Sequence, residues 1–246
     1  MTTLDVLAIG AHPDDVELGC GATLARLVED GRRVGIVHLT RGEAGTRGTV
    51  EQRRREAEGA AAALGVEVLT WLDCGDGGLR TGRAEEDDLI EVIRTWRPDV
   101  LIGPPPAERH PDHVRAHHLV ADAAFYAGLR GRAPERGEPF RPGAVFCYMQ
   151  NDQFQPTFIV DVSSVWQRKV DALDCYRTQL YVPATDHGPD AAGPATKVAS
   201  REFREAVDGR ARHYGLLIGV ERGEPFWSPR PFAVGDLASL AISGLR

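Results

Sequence analysis

Two short clusters hold residue types that do chemistry together: Ala11-His12-Pro13-Asp14-Asp15 near the start of the chain and His110-Pro111-Asp112-His113 near its middle. The first sets an imidazole and two carboxylates on one turn, and the second adds two imidazoles and a third carboxylate. A catalytic zinc ion takes three protein ligands from His, Asp and Glu and leaves a fourth position for water. His12, one aspartate of the Asp14–Asp15 pair and His113 supply such a set. Adjacent residues at the start of a helix point in different directions, so the other aspartate is free to act as general base. The spacing alone leaves open which aspartate does which. Coordination brings the pKa of water toward about 7, so an ionised aspartate need only orient it and carry its proton. His110, as an imidazolium oriented by Asp112, would stabilise a tetrahedral oxyanion and protonate a leaving amine.

One His-Pro-Asp-Asp turn is also what an Asx turn and helix cap look like. Two clusters at equivalent places argue for a site, and those places are strand ends. The chain alternates short apolar runs with amphipathic stretches, which predicts βαβ units: an α/β fold with a mostly parallel sheet flanked by helices. Strands are expected at 4–9, 34–39, 66–72, 100–103, 145–149 and 158–162, with a short one near Phe232-Ala233-Val234. Helices are expected at 16–29, 50–64, 85–96, 112–129, 163–181 with Ser163 as its cap, and 196–214, while 183–194 reads as a mobile Gly/Pro loop. Active sites in open α/β sheets gather at the carboxyl ends of strands, and both clusters fall there.

At 246 residues the chain is expected to form one domain, 1–246. With 29 Lys+Arg against 36 Asp+Glu, a net charge of -7 argues against a broad cationic face for nucleic acid. Cys20, Cys74, Cys147 and Cys175 form no C-x-x-C pair, which suggests neither a zinc knuckle nor a disulfide framework and fits a reducing cytoplasm. No segment has the length of a membrane span, and the first residues lack the pattern of a signal peptide. His117 follows His113 at the spacing of H-E-x-x-H, but Val114 stands where that motif needs glutamate. His38, His117, His118 and His213 are read as helix-face or partly buried residues, and His187 as a surface residue of the Gly/Pro loop. Gly10, Gly19 and Gly21 do not form G-x-G-x-x-G, and two aspartates at that turn would repel a pyrophosphate. Gly19 and Gly21 are therefore expected at close packing contacts. Neither a Walker A sequence nor a G-x-S-x-G elbow is present.

At A-H-P-D-D and H-P-D-H the chain resembles the zinc-dependent N-acetylglucosaminyl deacetylases of the PIG-L or LmbE-like family. The resemblance continues through Thr40-Arg41-Gly42-Glu43, Gly45 to Thr49, Arg53 with Glu56-Ala57, Ala172-Leu173 with Tyr176 and Gln179, and Tyr214-Gly215 through Ile218 to Glu221. These residues look like the bacillithiol-pathway branch. The resemblance implies His12, Asp15 and His113 as zinc ligands, Asp14 as base, and His110 supported by Asp112 as acid and oxyanion partner. It implies Arg53 and Asp76 as contacts to sugar or aglycone, and N-acetylglucosaminyl malate as substrate. It also implies a Rossmann-like, LmbE-like fold, zinc or ferrous iron as the metal, and a homo-oligomer, a hexamer in close relatives. Two rivals follow: a thiol S-conjugate amidase with the same metal chemistry, and a non-catalytic sugar- or nucleotide-binding protein.

Overall fold

The apolar runs become seven strands of one sheet in the computed structural model, which describes residues 3–182 and 196–236. They are β1 (Val6–Gly10), β2 (Val34–His38), β3 (Val68–Trp71), β4 (Val100–Gly103), β5 (Ala144–Tyr148), β6 (Phe158–Asp161) and β7 (Gly223–Trp227), in the order β3-β2-β1-β4-β5-β7-β6. The first five strands pair in parallel, and β7 runs antiparallel between β5 and β6. The helices are α1 (Asp15–Glu29), α2 (Val50–Leu64), α3 (Arg83–Trp96), α4 (Pro111–Tyr126), α5 (Trp166–Asp174) and α6 (Arg201–Leu217). One buried apolar cluster joins α1, α2 and α5 to one sheet face, and a second joins α3 and α4 to the other. The chain winds outward from β1 through β2 to β3, then returns through α3 to β4 on the opposite side of β1. Strand order therefore reverses between β1 and β4. A crevice opens at such a switch point, beyond the carboxyl ends of the two strands.

Local chemistry sets the element ends. Thr49 and Gln52 form a reciprocal capping box on α2, and Gly65 ends that helix in the left-handed conformation. Two of the expected elements differ from the structure. The helix expected to run to Tyr181 ends at Asp174, because Tyr176 turns inward to donate to Glu17 Oε1 at 2.9 Å and Thr178 is held by Glu56. Residues 232–234 form no strand, and β7 forms instead from Gly223-Glu224-Pro225-Phe226-Trp227. Its Gly and Pro give this central strand the composition of a loop. The expected loop at 183–194 lies outside the described residues.

Helix α1 is broken at Cys20 (φ −145°, ψ 19°). A Cβ on Gly19 would lie 2.3 Å from the Tyr148 ring, so only glycine lets the first turn of α1 approach β5 this closely. A Cβ on Gly21 would meet only ordinary contacts at 3.7 Å, so the expected close packing holds for Gly19 and not for Gly21. Polar groups freed by the break are taken up by three distant charged residues. Lys169 Nζ donates to the Leu18 carbonyl at 3.0 Å, and Arg210 does so at 2.9 Å. The amides of Ala22 and Thr23 donate to the Glu224 carboxylate at 3.2 and 2.7 Å, and Lys169 closes the group on Glu224 at 2.5 Å.

Candidate active site

The turn between β1 and α1 is bent into place before any ligand is considered. Asp15 Oδ2 accepts from the His12 amide at 2.8 Å, folding the turn back on itself. Thr40 Oγ1 donates to the Ala11 carbonyl at 2.9 Å, tying the turn to the loop after β2. Arg53, reaching up from α2, donates to the carbonyls of Pro13 (2.7 Å) and Gly42 (3.2 Å) and pairs with Asp14 Oδ2 at 3.6 Å. Gly42, at φ 69°, lies so close that a Cβ there would sit 2.0 Å from the Arg53 guanidinium. Asp14 adopts φ 109°, ψ −24°, a left-handed backbone that non-glycine residues rarely accept. Such strain persists only where surrounding contacts over-determine it, and it concentrates at functional sites.

Helix α4 brings in the second cluster from the end of β4. His110 is its N-cap, with Nδ1 accepting from the Asp112 amide at 3.2 Å. The three imidazoles converge: ring centroids lie 4.8 Å apart for His12–His110, 5.5 Å for His12–His113 and 4.9 Å for the stacked His110–His113 pair. Asp15 lies between two of them, with Oδ1 3.1 Å from His113 Nε2 and Oδ2 3.5 Å from His12 Nδ1. On its other side, His12 Nε2 faces Asp76 Oδ1 at 3.0 Å and Asp112 Oδ2 at 3.5 Å, yet makes no aligned hydrogen bond.

This donor set fits a metal ion. Two groups, His12-His110-His113 and His12-Asp76-Asp112, have donor atoms that all lie within 4.8 Å of one another. The expected ligands His12, Asp15 and His113 meet pairwise through Asp15. Electrostatics favour positive charge at this point. Burial alone would lower the pKa of His113, but Asp15 and Glu108 outweigh it and raise it to about 9. Burial likewise opposes protonation of His12, and the nearby carboxylates of Asp112, Asp15 and Asp76 overcome it. Asp15 would be pushed up by burial, but the two imidazoles hold it well below the usual carboxylate range. Asp14 shares the burial without such partners, and burial pushes it up to about 7 against the pull of Arg53.

Four expected site residues take positions or charge states the sequence did not foresee. The Asp112 carboxylate does not touch His110; it accepts from the amides of Gly77 (2.8 Å) and Leu79 (3.0 Å) and from Arg115 (2.9 Å). His110, half-buried beside His12 and His113, has its pKa lowered by burial and by their charges, which disfavours the expected imidazolium. Arg53 is buried behind the turn with its guanidinium on two backbone carbonyls. Asp76 lies against His12 itself, and its second oxygen accepts from the Ala44 amide at 2.9 Å. Two contributors escaped notice in the sequence: Glu108, whose Oε2 is 4.0 Å from His113 Nδ1, and Gln150, whose Nε2 donates to Asp15 Oδ1 at 2.6 Å. The signal was positional, since Glu108 lies two residues before His110 and Gln150 two residues past the end of a parallel strand.

Comparison with known proteins places these residues in context. A family profile described as GlcNAc-PI de-N-acetylase, PIG-L, matches residues 7–124, the segment that holds both clusters. A diacetylchitobiose deacetylase of Thermococcus kodakarensis is 34% identical over 71% of this chain and 70% of its own length. A 1D-myo-inositol 2-acetamido-2-deoxy-alpha-D-glucopyranoside deacetylase of Saccharopolyspora erythraea is 29% identical over 88% of this chain and 94% of its own. Among solved structures, a conserved protein of Thermus thermophilus superposes with a TM-score of 0.83 at 38% identity, covering 94% of this chain and 97% of the other.

Proposed function

The chain belongs to the PIG-L family of deacetylases, and from that premise we propose that it is a metal-dependent hydrolase that removes acetyl from the amine of an N-acetylglucosaminide. The observation that carries the reading is the buried convergence of His12, His110 and His113 with Asp15 at the strand-order switch, beside the strained Asp14. His12, Asp15 and His113 would hold the ion, zinc first and ferrous iron as its alternative. When bound, the ion supplies a Lewis acid that polarises the acetyl carbonyl and acidifies water.

The remaining steps fall to side chains of the chain. Asp14, with a carboxyl raised to about 7, takes a proton from the attacking water and is then acidic enough to return it to the leaving amine. His110 accepts an amide N–H at Nδ1, so its neutral ring carries its proton on Nε2 and donates toward the developing oxyanion. That assigns His110 a neutral donor role, with proton return left to Asp14. Asp112 fixes the 77–79 loop that presents Asp76 to His12. Arg53 supports Asp14 from behind the turn.

For substrate we propose N-acetylglucosaminyl malate, on the residues shared with the bacillithiol-pathway branch, acted on by a single domain in a homo-oligomer. The test is release of the free glucosamine amine by the zinc- or iron-loaded protein from N-acetylglucosaminyl malate, the inositol glycoside, diacetylchitobiose and a thiol S-conjugate. Preference for the malate glycoside is the expected result. Preference for another N-acetylated glycoside would move the substrate alone, preference for the S-conjugate would favour the amidase, and no free amine from any of them would overturn the activity.

A further inference from the structure

The loop after β5 reaches into the site from a part of the chain remote from both clusters. Gln150 is 6% exposed, and its side-chain amide donates to Asp15 Oδ1 at 2.6 Å. The group facing the carboxylate must be the NH2, because an amide oxygen there would meet another oxygen with no proton between them. Asp15 Oδ2 already accepts from the His12 amide at 2.8 Å. Each Asp15 oxygen thus carries one N–H donor, one local and one from the loop after β5. The main chain at Gln150 is itself clamped. Arg210 on α6 donates to its carbonyl, and Glu108 Oε2 accepts from the amides of Asn151 at 2.8 Å and Asp152 at 3.4 Å. The same Glu108 oxygen faces His113 Nδ1.

We infer that Gln150 is a positioning residue for the metal site: it fixes the rotamer of Asp15, and Glu108 and Arg210 hold it in place to do so. The inference rests on the reading of Asp15 as a metal ligand. A carboxylate free to turn about its side-chain bonds must be ordered when the ion binds, whereas one pinned through both oxygens presents its remaining lone pairs already aimed. Groups that orient ligands in this way typically contribute about 10–100-fold in metal affinity or activity.

The experiment compares Gln150→Met, which keeps length and removes the donor, with Gln150→Glu, which keeps shape and turns the donor into an oxygen facing Asp15. Zinc affinity is measured by competition with a chelator, alongside thermal unfolding of the metal-free proteins. The zinc Kd is expected to rise about 10–100-fold in Gln150→Met and further in Gln150→Glu, with little change in metal-free melting. Folded variants that bind zinc within about twofold of the parent would overturn the inference while leaving the deacetylase reading intact. Failure of both variants to fold would also overturn it, by making Gln150 a support of the fold. A parent that itself binds no zinc would overturn the metal reading and this inference with it.

Discussion

Asp14 is held against two costs at once, burial of a carboxylate and a backbone at φ 109°. A residue in such a region costs on the order of 1–3 kcal/mol, so the turn should be more stable without the side chain that works there. Asp14→Asn keeps the shape and suits the left-handed backbone but cannot carry a proton, while Asp14→Gly removes the strain altogether. Both are expected to lose about 10²–10⁴-fold in acetate release. The thermal midpoint of Asp14→Gly should equal the parent's or exceed it by about 2–4 °C. A clear drop in that midpoint would show that the contacts of Asp14, rather than its strain, dominate its energy there. The clustering of these side chains was legible in the sequence, because the motif residues are contiguous and follow apolar runs. The partner of each was not. Whether Asp112 meets His110 or the amides of Gly77 and Leu79 depends on where the 77–79 loop returns, and whether Arg53 faces substrate or Pro13 depends on the docking of α2.

At the scale of elements, α1 departs furthest from its sequence. Its periodicity predicts one continuous helix, and it is one in extent, yet it breaks at Cys20, next to the close contact of Gly19 with Tyr148, far along the chain. Strand β7 was missed for a related reason: Pro225 and its flanking glycine speak for a loop, and only β5 and β6 on either side make it a strand. Elements whose patterns are local, such as α2 and β4, were legible to their ends. The break has an energetic consequence. Lys169 and Glu224 are 1% and 2% exposed, so removing one partner leaves the other charged and buried. Lys169→Met should cost about 3–5 kcal/mol in denaturant unfolding, and adding Glu224→Gln should recover part of that loss. Strictly additive losses in this double-mutant cycle would mean that the two residues act independently, and that Lys169 serves mainly the Leu18 carbonyl.

At the scale of the whole molecule, the site is built by both ends of the chain. His12 to Asp15 and His110 to His113 supply the reactive groups, and Gln150, Lys169, Tyr176, Arg210 and Glu224 close in from behind. Packing so much polar chemistry against a sheet places ionisable groups where they cannot easily change charge. His38, at the end of β2 beneath the first cluster, is 0% exposed, and neither ring nitrogen has a hydrogen-bond partner. Burial pushes its pKa down to about 3, outweighing the opposing pull of Asp15. In the unfolded chain the same ring takes up a proton near pH 6.5. As pH falls below that value the unfolded state gains a proton the folded state refuses, so stability is lost progressively from about 6.5 down toward about 3 and is fully present above. Between about pH 7.5 and about pH 5 this one residue should remove about 2 kcal/mol from the free energy of unfolding. Denaturant titrations of the metal-free parent and of His38→Leu at both pH values isolate the effect, since other titrating groups are common to the two. The parent is expected to lose about 2 kcal/mol more than the variant, and equal losses would mean that His38 takes up its proton inside the folded protein.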